Sequence, residues 1–468
     1  MKSFFVKPML AAVAAIFPLS LIPASQASIV ENLAQAVQIK TISHQNPADN
    51  NYAEFRRFQQ FLRTSYPLAF THLRVDVVAE HSLVLTWAGS SQDLKPVLFD
   101  SHYDVVPVEP GTEDDWTHPP FAATLADGYL WGRGALDDKP AVIATFEAIE
   151  TLLTSGFKPQ RTLLFSFSHD EEIGGPVGAA NIARHLQARD IKLEFMVGEG
   201  GLLLKDSPFV EDKTMAMVSL AEKSYVTLEL STKGLGGHSS NPVEDNALIR
   251  LAVAVEKLHS NPFSPELRAP VTNMLEVLGE HTDGLQGFMM RNQWLGGSFI
   301  ASAMNKQKGS LALVRNTTAV TMFNAGIKEN VISQQAEAKV NFRLLPGYST
   351  AQLIESVRGI IADPRVKIET REWKPNPGVA DIKGIGYQRI SAAIAEVSPE
   401  TIIVPGLLTA SSDTPYYTEL SENIYRFHPY TLPMADLGSV HGTNERIAIK
   451  SIEQSVKYSI ALIKAAAY

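Results

Sequence analysis

An α/β sheet fold with helices on both faces, interrupted by a smaller α+β unit, is the architecture this sequence predicts. Two observations carry the main part. Apolar runs of strand length alternate with amphipathic helices between residues 73 and 198, and several of those runs lead straight into His, Asp or Glu. The third observation is a change of pattern near residue 222, after which strands alternate polar and apolar residues without parallel-type crossovers.

Residues 28–66 read as helical, with Phe55, Phe58, Phe61 and Leu62 at helical spacing. Leu73–Val78 and Leu83–Trp87 read as strands, and Pro96-Val97-Leu98-Phe99 as a buried one. A helix is expected over Pro140–Leu153, with Asp138 as its cap, Pro140 in its first turn and Gly156 past its end. Arg161–Phe167 is another buried strand, Ala179–Ala188 a helix and Leu193–Val197 a strand. In the second unit, Tyr225–Ser231 and Gln335–Leu344 alternate as strands, with a helix near Asn246–Leu258. After Pro346-Gly347 the α/β character returns, and a closing helix sets Ile452, Val456, Ile460 and Ile463 on one face.

Composition narrows the function. The 468 residues carry a net charge of −9, which argues against a duplex-binding protein, since neutralising phosphates requires a basic face. There is no cysteine, so disulfides, thiolate metal sites, cysteine nucleophiles and iron–sulfur clusters are excluded. Lys2 and Lys7, an apolar stretch from Met9 to Pro23, and Ala24-Ser25-Gln26-Ala27 have the form of a signal peptide over residues 1–27. The apolar stretch is too short to span a bilayer and holds Pro18. The expectation is an exported chain, periplasmic or secreted, with no membrane association after cleavage and no nucleic-acid partner.

Four segments carry candidate chemistry. Val97-Leu98-Phe99-Asp100-Ser101 leads into His102-Tyr103-Asp104, Leu163–Ser168 into His169-Asp170-Glu171-Glu172, and Phe195–Gly198 into Glu199. Trp131–Asp138 places Asp137 and Asp138 just before a helix. In open α/β sheets, ligands gather beyond the carboxyl ends of the strands. One such Asp alone is usually a helix cap; four segments together point to a metal held by His and carboxylates. Glu171 and Glu172 are adjacent, so their side chains diverge, and spacing does not choose which of them serves a metal.

Ser101-His102-Tyr103-Asp104-Val105-Val106-Pro107, Gly132-Arg133-Gly134-Ala135-Leu136-Asp137-Asp138-Lys139, Asp170-Glu171-Glu172-Ile173-Gly174-Gly175 and His441-Gly442-Thr443-Asn444-Glu445 together resemble the dinuclear zinc aminoacylase/carboxypeptidase metallopeptidase family. Thr321–Asn330 and Asn341-Phe342-Arg343 are similar to its carboxypeptidase S (Gly-Xaa carboxypeptidase) and N-acyl-amino-acid hydrolase branch. The resemblance spans nearly all of the chain beyond residue 27, in order. It implies a catalytic domain over 28–222 and 348–468, with a lid and dimerisation domain over 223–347.

The resemblance also implies roles. His102 and Glu199 would hold one Zn²⁺, Glu172 and His441 a second, and Asp137 would bridge them, with Co²⁺ or Mn²⁺ as substitutes. Three carboxylates and two neutral imidazoles leave two Zn²⁺ ions one net positive charge, a reasonable balance for a hydrolytic site. Glu171 would be the general base, Asp104 would orient His102, and His238 would stabilise the oxyanion, often across a homodimer interface. Asn330 and Arg343 would grip a free carboxylate, for which a forked guanidinium is suited.

The implied substrate is a small peptide or an N-acyl amino acid, cleaved at the amide next to its α-carboxylate. Hydrolysis as a carboxypeptidase or dipeptidase leads; an N-acyl-amino-acid hydrolase, running in reverse as a synthase, is the alternative. A non-catalytic zinc-binding relative should have lost a ligand or the base, and all of these positions are filled. A solute-binding protein would lack Glu171 and His238. His118 and His169 match no ligand position, and His44, His72, His81, His185, His259, His281 and His428 read as surface or core. Asp413 stands where relatives have an Asp followed closely by a basic residue, which Thr414-Pro415 does not supply. Phe288-Met289-Met290, Trp294-Leu295 and Phe299-Ile300 suit either an apolar pocket for an acyl group or a packing core or partner interface of the inserted unit.

Overall fold

The computed structural model describes residues 28–207, 210, 213–371 and 378–468. The signal-peptide segment expected over residues 1–27 lies outside the described residues. A ten-stranded mixed sheet forms the frame, and a separate four-stranded antiparallel sheet stands beside it.

At the centre of the large sheet, Val97–His102 runs parallel to Leu163–Ser168 on one side and to Phe195–Gly198 on the other. Ser82–Trp87 extends the sheet antiparallel beside Leu163–Ser168. Alternation along these strands feeds two cores. Val97, Phe99, Leu163, Phe165, Phe167, Phe195 and Val197 pack with the helices Ile29–Gln38, Lys139–Thr154 and Ile449–Ala466. Leu98, Leu164 and Met196 face the other way, onto the helix Ala179–Gln187. Helices therefore cover both faces, which is why these strands read as continuous apolar runs.

The small sheet has the order Thr317–Ala325, Gln335–Leu344, Ser224–Lys233, Lys367–Arg371. Its alternation buries Val226, Leu228, Leu230, Val340 and Phe342 beneath the helices Ala247–Ser260 and Thr350–Ile361. The chain thus stays with this sheet beyond residue 347. Leu353, Val357 and Ile361 form an amphipathic helix whose pattern does not declare which sheet it covers, and only the pairing of Lys367–Arg371 with Ser224–Lys233 decides it.

Between the two long strands, the helices Val271–Glu280, Gly284–Arg291, Gln293–Asn305 and Leu311–Val314 form a bundle. Met274, Leu275 and Leu278 dock it against Val404 and Leu407 of the strand Ile402–Leu408. Phe288, Trp294, Leu295 and Phe299 are exposed, so they form neither an enclosed pocket nor a packing core. Helical spacing set their periodicity but could not tell which side of each helix would be covered.

The strand Met215–Glu222 crosses into the small sheet through Lys223. Glu222 accepts from Arg426 Nε at 2.9 Å, with both side chains 1% exposed, and from Thr414 Oγ1 at 2.9 Å. Glu222→Ala would leave the Arg426 guanidinium buried without its counter-charge, a loss of about 3–5 kcal/mol. Urea unfolding should register it; a loss under about 1 kcal/mol would mean that the pair contributes no more than a surface ion pair.

Candidate metal centre

Three neighbouring parallel strands deliver the site. His102 ends the strand Val97–His102, Glu171 and Glu172 follow Leu163–Ser168 in a short turn, and Glu199 follows Phe195–Gly198. Gly174 and Gly175 turn the chain after Glu172 with φ of 98° and 70°. A Cβ on Gly175 would lie 2.0 Å from Asp413 Oδ1, so glycine is required there on both counts.

His102 Nε2 lies 3.0 Å from Asp137 Oδ1 and 3.2 Å from Glu199 Oε2. His441 Nε2 lies 3.1 Å from Asp137 Oδ2 and 3.0 Å from Glu172 Oε2. Asp137 therefore offers one oxygen to each imidazole. Two donors on one tetrahedral zinc, each about 2.0–2.1 Å from it, stand about 3.3 Å apart, so these spacings suit one ion on each side of Asp137. Glu172 Oε1 is buried with no hydrogen-bond partner, an acceptor aimed at nothing in the chain. The donor set fits a pair of divalent cations: only imidazoles and carboxylates, grouped two by two around one shared carboxylate.

The field of these carboxylates is strong. Burial would lower the His102 pKa, but Glu199 and hydrogen bonds with Asp104, Asp137 and Glu199 raise it well above its ordinary value. Hydrogen bonds with Asp137 and Glu172 push His441 up to about 10. Burial pushes Glu172 up to about 7, with the Asp137 charge adding to it. Protons and cations compete for the same lone pairs, so metal affinity must weaken as the solution is made acidic.

Asp104 organises the ligands from behind and is fully buried. Its carboxylate lies 3.3 Å from His102 Nδ1 and accepts from the backbone N–H groups of Glu171 and Glu172, each at 3.1 Å, and from Ser43 Oγ at 2.6 Å. One side chain thus fixes the ring of one ligand and the turn that carries both glutamates.

A second support went unread in the sequence. Arg133 Nη1 donates to Glu445 Oε2 at 2.6 Å, and Arg133 Nη2 to the carbonyl of His441 at 3.0 Å. Glu445 Oε1 accepts from the N–H groups of Leu136 and Asp137 at 2.8 and 3.3 Å. The pair ties the Asp137 loop to the His441 loop across 312 positions of sequence. Both residues lie inside the quoted motifs, but their mutual contact has no local signal.

Asp138 corrects one expectation. It sits in the cap position of Lys139–Thr154 but makes no side-chain cap bond. Its carboxylate instead pairs with His428 Nδ1 at 2.9 Å and accepts from the His102 N–H at 3.4 Å. His428, expected at the surface or in the core, is a buried counter-group to Asp138. Asp138 could complete a triad with His102 and Glu199, but His428 already engages it. Asp413 is buried beside the site and accepts from Ser168 Oγ at 2.7 Å. His169 is buried against Ser82 Oγ at 2.7 Å, away from the ligands, and burial lowers its pKa to about 4.

Arg343 approaches the same site from the small sheet. Its guanidinium stacks 4.4 Å from the Tyr225 ring, its cross-strand partner, and Nη1 is buried with no hydrogen-bond partner. Burial lowers its pKa while Tyr225, Glu222 and Glu171 oppose the shift, so the cation lies within electrostatic reach of Glu171. Two further cations surround it. Lys223 donates to the carbonyls of Ala312 and Arg315 at 2.9 and 2.7 Å, and burial, aided by Arg343 and Arg315, brings its pKa down to about 7. Arg315 Nε is also buried without a partner.

His238 and Asn330 are elsewhere. His238 pairs with Val331 in a two-stranded ribbon beyond the Gln335 end of the long strand, whereas Arg343 lies near the other end. Eight residues of strand separate those ends by about 27 Å. His238 is exposed, its Nδ1 accepting from the Ser240 N–H at 3.1 Å, and Asn330 Oδ1 is buried without a partner. The register therefore sets His238 and Asn330 toward one end of the long strand and Arg343 toward the other.

Comparison with known proteins follows the same lines. The model of "Peptidase family M20/M25/M40" matches residues 98–465. "Probable carboxypeptidase S-like 2" of Dictyostelium discoideum is 39% identical over 94% of this chain and 85% of its own length. The "N-fatty-acyl-amino acid synthase/hydrolase" of Mus musculus is 35% identical over 93% of this chain and 87% of its own. The crystal structure of an M20 family metallo-carboxypeptidase from Sulfolobus solfataricus superposes with a TM-score of 0.69 at 18% identity, covering 94% of this chain and 99% of that one. That last likeness is one of fold.

Proposed function

The chain belongs to peptidase family M20/M25/M40 and is a metal-dependent hydrolase, and from that premise we propose that it cleaves the amide bond next to a free α-carboxylate, as a carboxypeptidase or dipeptidase using two Zn²⁺ per chain. The observation that carries this reading is the position of Asp137 between two imidazole–carboxylate pairs, with Arg343 Nη1 buried and left without a hydrogen-bond partner. Co²⁺ or Mn²⁺ would substitute.

His102, Glu199 and one oxygen of Asp137 would hold the first ion, and Glu172, His441 and the other oxygen would hold the second. Bound there, the ions supply Lewis acidity and make water a competent nucleophile near neutral pH. Arg343 takes the substrate carboxylate and fixes the scissile amide over the ligand cluster. Glu171 accepts the proton of the attacking water on its carboxylate and delivers it to the departing nitrogen. Asp104 keeps Glu171 in place through its backbone N–H.

A second reading, an N-acyl-amino-acid hydrolase working in either direction, is favoured by the name of the mouse relative. Both share the carboxylate grip, and one experiment tests it. The zinc-loaded enzyme is given dipeptides, N-acyl amino acids and the matching carboxamides. The carboxamides should react at least about 100-fold more slowly, the loss of an ion pair to a buried guanidinium; equal rates would reject the reading.

The placement of His238 toward the opposite end of the strand from Arg343 supports a homodimer in which each chain's His238 ribbon serves the partner's site. The edge strand Thr317–Ala325 exposes Val320, Met322 and Phe323, an unpaired edge suited to another copy. Mixing inactive His238→Ala and Glu171→Gln chains should then restore up to about a quarter of the activity, since random pairing makes half the dimers mixed and each of those has one intact site. No recovery after subunit exchange would remove the shared site. Residues 1–27 act as a signal peptide in this reading, and the exported chain begins at Ser28.

A further inference from the structure

The outer side of the helix pair Gly284–Arg291 and Gln293–Asn305 carries Leu285 (73% exposed), Phe288 (47%), Trp294 (82%), Leu295 (58%) and Phe299 (70%). The inner side is filled by Gly287, Met290, Gly296 and Ala301. Leu285 and Phe288 stand one turn apart, as do Leu295 and Phe299, and Gly296 packs against Met289 of the other helix. The exposed side chains therefore form one band on two joined helices, and a band of this size marks an interaction surface.

Its charge selects the partner. No Asp or Glu occurs between Asp283 and Glu329, in a chain of net charge −9. Arg291, Lys306 and Lys308 flank the band and are exposed. Aromatic and leucine side chains on two helices that carry no acid of their own, with Arg291, Lys306 and Lys308 at their C-terminal ends and the exposed Asp283 before the first, match a surface that is apolar within and anionic at its rim. A second copy meeting this face symmetrically would set like charges against each other.

We propose that this helix pair docks in the plane of an anionic phospholipid bilayer, with Trp294, Phe299, Leu295 and Leu285 among the acyl chains and Arg291, Lys306 and Lys308 at the phosphates. The attachment is peripheral: among the described residues, no helix is long and apolar enough to cross a membrane. It is also rigid, because Val271–Glu280 anchors the bundle on the large sheet. Lys223 ties the last turn of the bundle to the crossing between the two sheets.

The test is co-sedimentation of the chain beginning at Ser28 with vesicles of phosphatidylcholine alone and of equal phosphatidylcholine and phosphatidylglycerol. Binding should appear on the mixed vesicles and fall at least about tenfold at high salt. It should fall similarly in Trp294→Ser/Phe299→Ser and in Lys306→Glu/Lys308→Glu, two changes of exposed residues that leave hydrolysis of a soluble substrate unchanged. Wild-type binding equal to that of both variants would overturn the proposal. So would an oligomer that dissociates in Trp294→Ser/Phe299→Ser without vesicle binding by the wild type, which would give the band to another copy instead.

Discussion

Glu171→Gln is expected to lower kcat by about 10²–10⁴-fold while leaving the bound metal in place. The amide keeps the shape of the carboxylate, so the backbone bond to Asp104 and the neighbouring Glu172 survive. It has no basic oxygen to take a proton from the attacking water, and only the step that needs this slows. Glu172→Gln should show the opposite pattern, losing metal first, because Glu172 lies 3.0 Å from His441 Nε2 in the ligand cluster. Metal analysis of both variants beside single-turnover rates separates the two cases. If Glu171→Gln loses metal and Glu172→Gln keeps it, the two glutamates exchange roles.

Asp137→Ala should empty both sites and abolish activity. Its two oxygens serve His102 and His441 separately, so one substitution removes a ligand from each side. Burial raises the pKa of Asp137, but hydrogen bonds from both imidazoles outweigh it and hold the carboxyl well below its usual range. Without that charge, the remaining pairs must hold cations with less compensation. His102→Ala should mainly empty one side. Elemental analysis after dialysis, with the zinc-dependent rise in Tm as a second readout, checks both variants. Two ions retained by Asp137→Ala would remove the bridge from the mechanism.

Much of this was legible because strand ends are local features. The runs before His102, Glu171-Glu172 and Glu199 read as buried strands, and buried parallel strands leave few places for polar residues except beyond their carboxyl ends. The α/β class, the helices on both faces and the family followed from such runs and from motifs in order. Those signals need only the spacing of neighbours along the chain.

Other features depend on which distant segments meet. Asp138 reads as a helix cap until His428 arrives beside it. Arg133 and Glu445 carry no mutual signal until their loops close, and Thr350–Arg371 joins the small sheet only through the pairing of its last strand. His238, Asn330 and Arg343 resemble parts of one binding site, yet the register of a long strand holds the first two far from the third. Trp294 and Phe299 have the periodicity of buried helix residues and face solvent. Residue type and spacing decide what a segment can become and which chemistry it can carry. Partner, covered face and distance are properties of packed pairs remote in sequence, and only the tertiary structure sets them.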